Sequence, residues 1–197
     1  NSKTSFQVKL PYQAVSGRLA NTEGLGDISL CFTKNIRSTE MGDLNFSVGT
    51  KIPTNKSDKD IGGRPLPMYY QTSLGTYDVI SGISYITRNW LFATGIQIPL
   101  NENENQFLWG AWAGTEEDAD GYILKYARAK ELKRGTDVMI RIERNFRFSR
   151  FNFTAGLLPI YRVTRDEFTN PAGKRFKPVD AQGLALSAIF TGGNSFN

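Results

Sequence analysis

Alternation of apolar and polar residues with a period of two is the feature that most limits what this chain can fold into. In the first such segment Phe6, Val8 and Leu10 share one face, and Gln7 and Lys9 share the other. Successive side chains of a β-strand point to opposite faces, so the pattern predicts a strand with one apolar and one polar face. Such segments recur at residues 6–12, 28–32, 44–52, 77–85, 90–98, 107–113 (the weakest), 122–126, 138–148, 151–161 and 184–190. The chain is therefore predicted to be all-β, with about ten strands.

Residues 1–197 are predicted to form a single β-barrel domain. The length suits one domain, and no linker or shift in composition marks a second one. The longest apolar stretches are only a few residues, far short of the roughly 20 that a membrane-spanning helix needs. The chain has neither an initiating methionine nor a signal sequence. One or both of its ends are therefore expected to be trimmed.

The alternation fits two opposite architectures, a soluble barrel or sandwich with its apolar face inside and a membrane barrel with that face against lipid. Most segments are about nine to twelve residues long, near the length that crosses a bilayer at a tilt of about 45°. Long polar connections at 13–24, 54–74 and 164–182 follow one end of the strands, and short turns at 87–89 and 149–150 follow the other. This asymmetry favours an antiparallel transmembrane up-and-down β-barrel of about 10–12 strands, with the soluble barrel as an alternative.

Charged residues on the polar faces are the candidates for the lining of a lumen. Nine positions are predicted to face it: Lys9, Asp27, Lys51, Asp78, Lys125, Asp137, Arg141, Glu143 and Arg162. Opposite charges among them would pair across a polar interior and leave a small positive excess. Gly49 and Gly82 share that face, and glycine weakens a solvent-facing strand without packing anything. The composition of the polar face therefore suits a crowded lumen better than a soluble surface.

Aromatic residues on the apolar faces concentrate near the strand ends. Eight are predicted to form two interfacial girdles: Tyr12, Tyr77 and Tyr161 at the long-loop end, and Tyr85, Trp90, Phe146, Phe148 and Phe151 beside the short turns. Aromatic side chains are enriched at membrane–water interfaces, whereas a soluble core would place bulky rings near the middle as often. The distribution therefore favours the membrane barrel.

The chain has no histidine and a single cysteine, Cys31. A Ser-His-Asp or Cys-His nucleophile, a His-ligated zinc or haem, and an internal disulfide are all excluded. The net charge of +5 is a mild bias that suits anionic partners without requiring them. No catalytic residue, metal or cofactor is predicted, and the protein is interpreted as a non-enzyme.

Three local motifs have other interpretations. The acidic residues between 116 and 120 could supply oxygen ligands to calcium, but they lack a complete twelve-residue loop and are interpreted as a solvated turn. Residues 24–27 are glycine-rich but do not open a helix, so they predict no nucleotide site. Arg141, Arg144 and Arg147, together with Arg150, lie among phenylalanines, as in a nucleic-acid surface. Period two projects Arg141 and Arg147 away from the rings, so no nucleic-acid partner is predicted.

Four short motifs resemble a known family. They are Val-Lys-Leu-Pro-Tyr at 8–12, Gly-Leu-Gly-Asp-Ile at 24–28, Lys-Ile-Pro-Thr at 51–54 and Leu-Gly-Thr-Tyr-Asp-Val-Ile-Ser-Gly at 74–82. Together they are similar to the outer-membrane barrels associated with meta-pathway phenol degradation, over about the first half of the chain. The resemblance implies transport of small, often hydrophobic or aromatic, molecules across the outer membrane of a Gram-negative-type cell envelope.

The sequence thus predicts a channel or uptake protein in the outer membrane, with the lipid bilayer and a small solute as partners. A structural barrel subunit or scaffold of a larger outer-membrane assembly is the alternative, and other outer-membrane subunits would then be partners. A soluble ligand-binding β-barrel is the third possibility.

Overall fold

The computed structural model describes residues 4–148 and 151–194, and β-strands dominate it. The strands in chain order are β1 Thr4–Lys9, β2 Tyr12–Ser16, β3 Asn21–Leu25, β4 Ile28–Ser38, β5 Asp43–Ile52, β6 Asp60–Ile61, β7 Arg64–Pro65, β8 Asp78–Ile86, β9 Trp90–Pro99, β10 Asp137–Arg147, β11 Phe151–Arg162, β12 Phe168–Thr169, β13 Arg175–Phe176 and β14 Leu184–Asn194. One short α-helix, α1 (Glu116–Ala119), and three 3-10 turns, Met68–Tyr70, Trp109–Trp112 and Tyr122–Lys125, complete the elements.

Eight of these strands form one antiparallel sheet, which we call the main sheet. Its order is β1-β4-β5-β8-β9-β10-β11-β14, so each strand pairs with the preceding and following main-sheet strands, and the chain runs up and down. β1 and β14 are the two edges. The predicted all-β, antiparallel fold is confirmed. A closed barrel of about 10–12 strands was predicted, whereas the described residues place eight strands in the main sheet and show no pairing that closes it.

The two ends of the main sheet differ as the sequence predicts. Residues 39–42 and 87–89 make tight turns at one end, which we call the turn end. Thr87 closes the second of these turns, because its hydroxyl accepts a 3.0 Å hydrogen bond from the Trp90 amide. The other predicted short turn, at 149–150, lies outside the described residues. The long connections leave from the opposite end, which we call the loop end.

The long connections fold on themselves instead of forming plain loops. Three of them carry short hairpins, β2–β3, β6–β7 and β12–β13. The buried hydrophobic core lies in these connections, and we call it the loop core: Leu19, Leu66, Tyr70, Phe107, Trp112, Ile123 and Ala129. The loop end is therefore covered by a packed assembly with its own apolar interior.

Two predicted strands are wrong. Residues 107–113 and 122–126 lie in the connection between β9 and β10 and form 3-10 turns there. The alternation of Tyr122, Leu124 and Tyr126 suggested a strand, but Ile123 between them is the fully buried side chain. Burial of Ile123 in the loop core outweighs the period-two pattern, which is weak evidence over so short a window.

The first predicted strand also ends earlier than expected. β1 stops at Lys9, and the chain passes through Pro11, which has no N–H to donate to a sheet ladder. Tyr12 therefore begins the separate β2–β3 hairpin, and Tyr77 lies just before β8. Among the described residues no helix is long and apolar enough to cross a membrane.

Candidate functional site

The register of the main sheet brings predicted lumen residues together at the loop end. Lys51 on β5 lies opposite Asp78 on β8. Asp137 on β10 lies between Gln97 on β9 and Arg162 on β11. We call these five positions the charged row, because they follow one another across four pairs of neighbouring strands on the polar face.

Lys51 lies between two carboxylates that are almost completely buried. Its Nζ is 3.8 Å from Asp27 Oδ2 and 3.6 Å from Asp78 Oδ2. Asp78 also accepts hydrogen bonds from the Thr76 hydroxyl, at 2.7 Å, and from Gln97. Asp27 accepts a 3.0 Å hydrogen bond from the amide N–H of Leu74. Burial of charges is costly unless they are paired and hydrogen-bonded, and each carboxylate here meets both conditions.

Arg162 organises the second group in the charged row. Its guanidinium donates to Asp137 at 2.9 and 3.2 Å and to Asp166 at 2.7 Å. Arg134 donates to Asp137 at 3.0 Å. The two-pronged contact with Asp137 fixes the orientation of the guanidinium plane. One set of charges therefore joins β10 and β11 to the connections that follow β9 and β11.

The remaining predicted lumen residues are placed separately. Arg141 pairs with Glu143 at 2.6 Å, and Glu143 is buried on β10. Gly156 on β11 lies beside Glu143, and a Cβ there would lie 2.5 Å from Glu143 Cγ, so this part of the polar face is closely packed. Lys9 is exposed on the edge strand β1, and Lys125 lies on the Tyr122–Lys125 turn rather than on a strand.

The opposite face of the main sheet is apolar and exposed. Its members on neighbouring strands are 36–69% exposed: Phe6, Val8, Phe32, Phe46, Val48, Val79, Ile83, Phe92, Ile96, Ile98, Ile140, Ile142, Leu157, Leu186 and Phe190. A soluble sheet normally covers such a face with a second layer. The main sheet thus exposes its apolar side and buries ion pairs on its polar side.

The predicted aromatic residues of the turn end are grouped on that exposed face. Trp90 stacks on Phe92 with ring centroids 5.6 Å apart. Phe146 stacks on Phe153 at 6.1 Å. Arg144 joins the group, with its guanidinium 5.2 Å from the Trp90 ring centroid and 4.9 Å from that of Phe146.

The other predicted aromatic residues also lie near strand ends. Tyr85 lies on β8 two residues before the turn, and Phe151 begins β11. Phe148 directly follows β10 and donates a 2.7 Å backbone hydrogen bond to Phe151. Tyr12, Tyr77 and Tyr161 are exposed near the loop end.

A cavity of about 940 Å³ lies between the polar face of the main sheet and the folded connections. Lys51, Gln97, Asp137 and Arg162 of the charged row contribute to its wall, which makes it the candidate site. Aromatic and apolar side chains from the connections form the rest of the wall, among them Met68, Tyr69, Trp109, Tyr126, Leu132 and Phe168. This combination of apolar walls and a few fixed polar groups is typical of small-molecule sites.

Tyr126 lies in that wall and its hydroxyl contacts two other tyrosine hydroxyls. Burial raises its pKa, and the hydrogen bonds that its hydroxyl shares with Tyr122 and Tyr70 raise it further. These hydroxyl contacts are 3.2 Å to Tyr122 and 3.1 Å to Tyr70. Tyr126 therefore stays neutral and anchors the cavity wall to the loop core.

The sequence interpretation missed Arg128. Its guanidinium lies 4.6 Å from the Trp109 ring centroid and 4.8 Å from that of Phe168, and the residue lines the cavity. Arg128, Trp109 and Phe168 come from separate parts of the connections, so no local motif marks them. The sequence interpretation instead placed Lys125 in the lumen, because it lies on the polar side of the strand predicted at 122–126.

The acidic residues at 116–120 surround an arginine. Arg18 is 3.7 Å from Glu116, 4.0 Å from Glu117 and 2.5 Å from Asp120. The hydrogen bonds that Asp120 accepts from the backbone N–H of Tyr122 and from the Arg18 guanidinium lower its pKa. Within residues 4–148 and 151–194, no group of three or more His, Cys, Asp or Glu side chains is arranged to hold a metal ion.

Glu167 provides a test of how the β11–β14 connection is held. It accepts a 2.7 Å contact from Lys177 and lies 3.7 Å from Arg175, and the Lys177 hydrogen bond is the main cause of its lowered pKa. A lowered folded pKa contributes stability above the usual Glu value, and that stability is lost as pH falls through the folded pKa. We expect the amide of Glu167, bonded to the Lys133 carbonyl at 2.8 Å, to lose hydrogen-exchange protection below about pH 4.3.

We expect Glu167→Gln to remove the pH dependence of hydrogen-exchange protection at this amide and to lower its protection at neutral pH. Glu40→Gln, on the exposed 39–42 turn, is the control and leaves the profile of the Glu167 amide unchanged. Exchange is compared after correction for the intrinsic rate at each pH. An unchanged acid profile in Glu167→Gln would contradict the assignment.

Comparison of the chain with models of protein families gives no match. Comparison with curated proteins gives no match either.

Proposed function

We propose that this protein is an outer-membrane β-barrel that acts as a channel or uptake protein for small molecules, hydrophobic or aromatic ones among them. The observation that carries the proposal is the inverted character of the main sheet, whose apolar face is exposed and whose polar face buries ion pairs. Lipid is the environment in which such a face is favourable, because it leaves no apolar surface in water. The aromatic groups at the strand ends fit the two interfaces of a bilayer.

The position of Arg144 supports the same orientation. It lies on the apolar face, but at the turn end, where its guanidinium contacts Trp90 and Phe146. A charged side chain near the end of a spanning strand can extend into the headgroup region while its aliphatic stem remains among apolar groups. A charged side chain at this position is therefore compatible with an apolar face that contacts lipid.

Transport of a small molecule is supported by the cavity. Its wall combines the charged row with aromatic side chains, and it lies where the polar face meets the connections. In the proposed role the solute enters through the connections and leaves along the polar face. No covalent step is involved.

Neighbouring positions on β5 test the membrane orientation directly. Val48 is 42% exposed on the apolar face, and Ser47 faces the polar side, where its hydroxyl lies 2.7 Å from that of Thr33. Single nitroxide labels at Val48→Cys and Ser47→Cys, in a Cys31→Ser background, are compared in lipid vesicles. We expect the Val48 label to be accessible to oxygen dissolved in lipid and the Ser47 label to be protected from it.

The control is the same pair of labels on the protein unfolded in urea. There the difference in oxygen accessibility between the two labels must vanish. Equal oxygen accessibility of both labels in vesicles, or higher accessibility at Ser47, would contradict a membrane barrel. Conductance in planar bilayers and solute flux into liposomes then test the channel itself. Absence of both would leave the barrel without a transport role.

A scaffold role is the second candidate, and the edges of the main sheet favour it. An edge strand presents backbone groups that another strand can pair with. β1 and β14 could therefore join this chain to another outer-membrane subunit. Co-purification of a defined partner in mild detergent, together with absent solute flux, would support this role instead.

A further inference from the structure

Arg128 is a cation of the cavity wall that has no carboxylate partner among the described residues. Lys51, Arg134 and Arg162 all pair with carboxylates of the charged row or its neighbours. Within the described part of the chain, Arg128 makes neither an ion pair nor a hydrogen bond, and its contacts are with aromatic rings. Its five N–H donors are thus not used by the protein.

The rings hold Arg128 in a defined orientation. Its guanidinium carbon is 4.6 Å from the Trp109 ring centroid, 4.8 Å from that of Phe168 and 5.9 Å from that of Phe176. Trp109 is itself fixed by a 2.8 Å hydrogen bond from its indole N–H to the Tyr126 carbonyl. A stacked guanidinium loses less conformational freedom on binding an anion than a mobile one does.

The pairing of the charged groups in the wall favours an anion beside Arg128. Its acidic residues Asp137 and Asp166 are bonded to Arg162. Asp180 is the remaining carboxylate of the wall. Among the described residues neither Arg128 nor Lys125 forms an ion pair, although Lys125 acts electrostatically on Asp120. Lys125 lies over the Tyr122 ring, with Nζ 4.4 Å from the centroid. Arg128 therefore remains, beside the aromatic wall, as a cation that no carboxylate of the described residues neutralises by direct contact.

We propose that the cavity binds small aromatic carboxylates, with Arg128 holding the carboxylate and the aromatic wall packing on the ring. The planar guanidinium fork matches a carboxylate in a two-pronged contact, which a neutral ligand of the same shape cannot make. Tyr69, Tyr126 and Met139 supply apolar surface elsewhere in the wall. The description of this ligand as a transported solute rests on the proposed function.

Calorimetric titration of the detergent-solubilised protein tests the proposal with benzoate and its neutral isostere benzamide. We expect benzoate to bind about ten- to a hundredfold more tightly than benzamide, because only benzoate forms charge-assisted hydrogen bonds. Acetate separates recognition of the aromatic ring from recognition of the carboxylate alone, and we expect it to bind more weakly than benzoate. Comparable affinities for benzoate and benzamide, or no benzoate binding, would overturn the proposal.

Two arginine substitutions give a matched comparison. Arg128→Met removes the charge and should abolish the preference for benzoate, whereas Arg128→Lys should keep part of it. Arg144→Met removes another guanidinium stacked on a tryptophan, but on the apolar face, and should leave the preference unchanged. Retention of the full preference in Arg128→Met would refute the role of this residue.

The labels at Val48 and Ser47 separate this proposal from the proposed function. If the protein with Arg128 unchanged shows no preference for benzoate while the Val48 label remains accessible to oxygen, the ligand assignment alone is refuted. A benzoate preference without that accessibility refutes the membrane barrel and leaves a carboxylate-binding site in a protein of another kind.

Discussion

Replacement of Lys51 by methionine is expected to destabilise the protein by about 3–5 kcal/mol. The substitution keeps the length and apolar stem of the side chain but leaves Asp27 and Asp78 facing each other without a cation. Asp78 is fully buried and Asp27 is 7% exposed, so water can do little to solvate the two charges. The free energy of unfolding in urea, followed by tryptophan fluorescence in detergent micelles, measures the effect.

Lys9→Met is the matched control, because the same change is made on the exposed edge strand β1. We expect it to alter the free energy of unfolding by less than about 0.5 kcal/mol. The double variant Lys51→Met/Asp78→Asn should recover part of the loss, since it removes one of the two uncompensated carboxylates. Similar stabilities for Lys51→Met and Lys9→Met would show that the ion pairs of the charged row are not important for folding.

Ile123→Ala is expected to cost the loop core about 2–5 kcal/mol, because it leaves a cavity in a fully buried cluster. The effect should appear first in the β9–β10 connection. There the amides of Ala129 and Glu131 donate to the carbonyls of Phe107 and Asn105 at 3.0 and 2.7 Å. Hydrogen exchange of these two amides reports the opening free energy of the connection.

Leu124→Ala controls for this change with a side chain of nearly equal volume at the next position. Leu124 is 55% exposed, so its truncation should change protection of the same amides by less than about 0.5 kcal/mol. The two variants distinguish the structure from the strand that alternation predicts, because that strand would have Leu124 inside its apolar stripe. Larger loss of protection in Leu124→Ala than in Ile123→Ala would favour the strand.

The main sheet was predictable from sequence because its strands are long and alternate over most of their length. β10 and β11 illustrate this, since Ile140, Ile142 and Leu157 mark one face, which Arg144 interrupts on β10. Short windows are less informative. Five residues at 122–126 can alternate by chance, and only the packing of the connection decides that Ile123 is the buried one.

The composition of the candidate site was only partly predictable. Alternation assigned Lys51 and Asp78 to one face, but it does not determine register, which depends on how the strands pair. The grouping of Lys51 with Asp78, and of Asp137 with Arg162, therefore required the structure. The role of Arg128 could not be predicted from the sequence. The rings around it come from connections that lie far apart along the chain, and no strand pattern brings them together.

The directions of the two edge strands limit how the main sheet could close. β1 begins at the turn end, since Thr4 pairs with Lys34 near the end of β4, and β14 finishes there, since Asn194 pairs with Phe151 at the start of β11. The edges thus run in opposite directions and can meet antiparallel. If every added strand is antiparallel to its neighbours, any strands inserted between them must be even in number. A closed barrel built on this sheet would then have eight, ten or twelve strands, and an odd total would require one parallel pair.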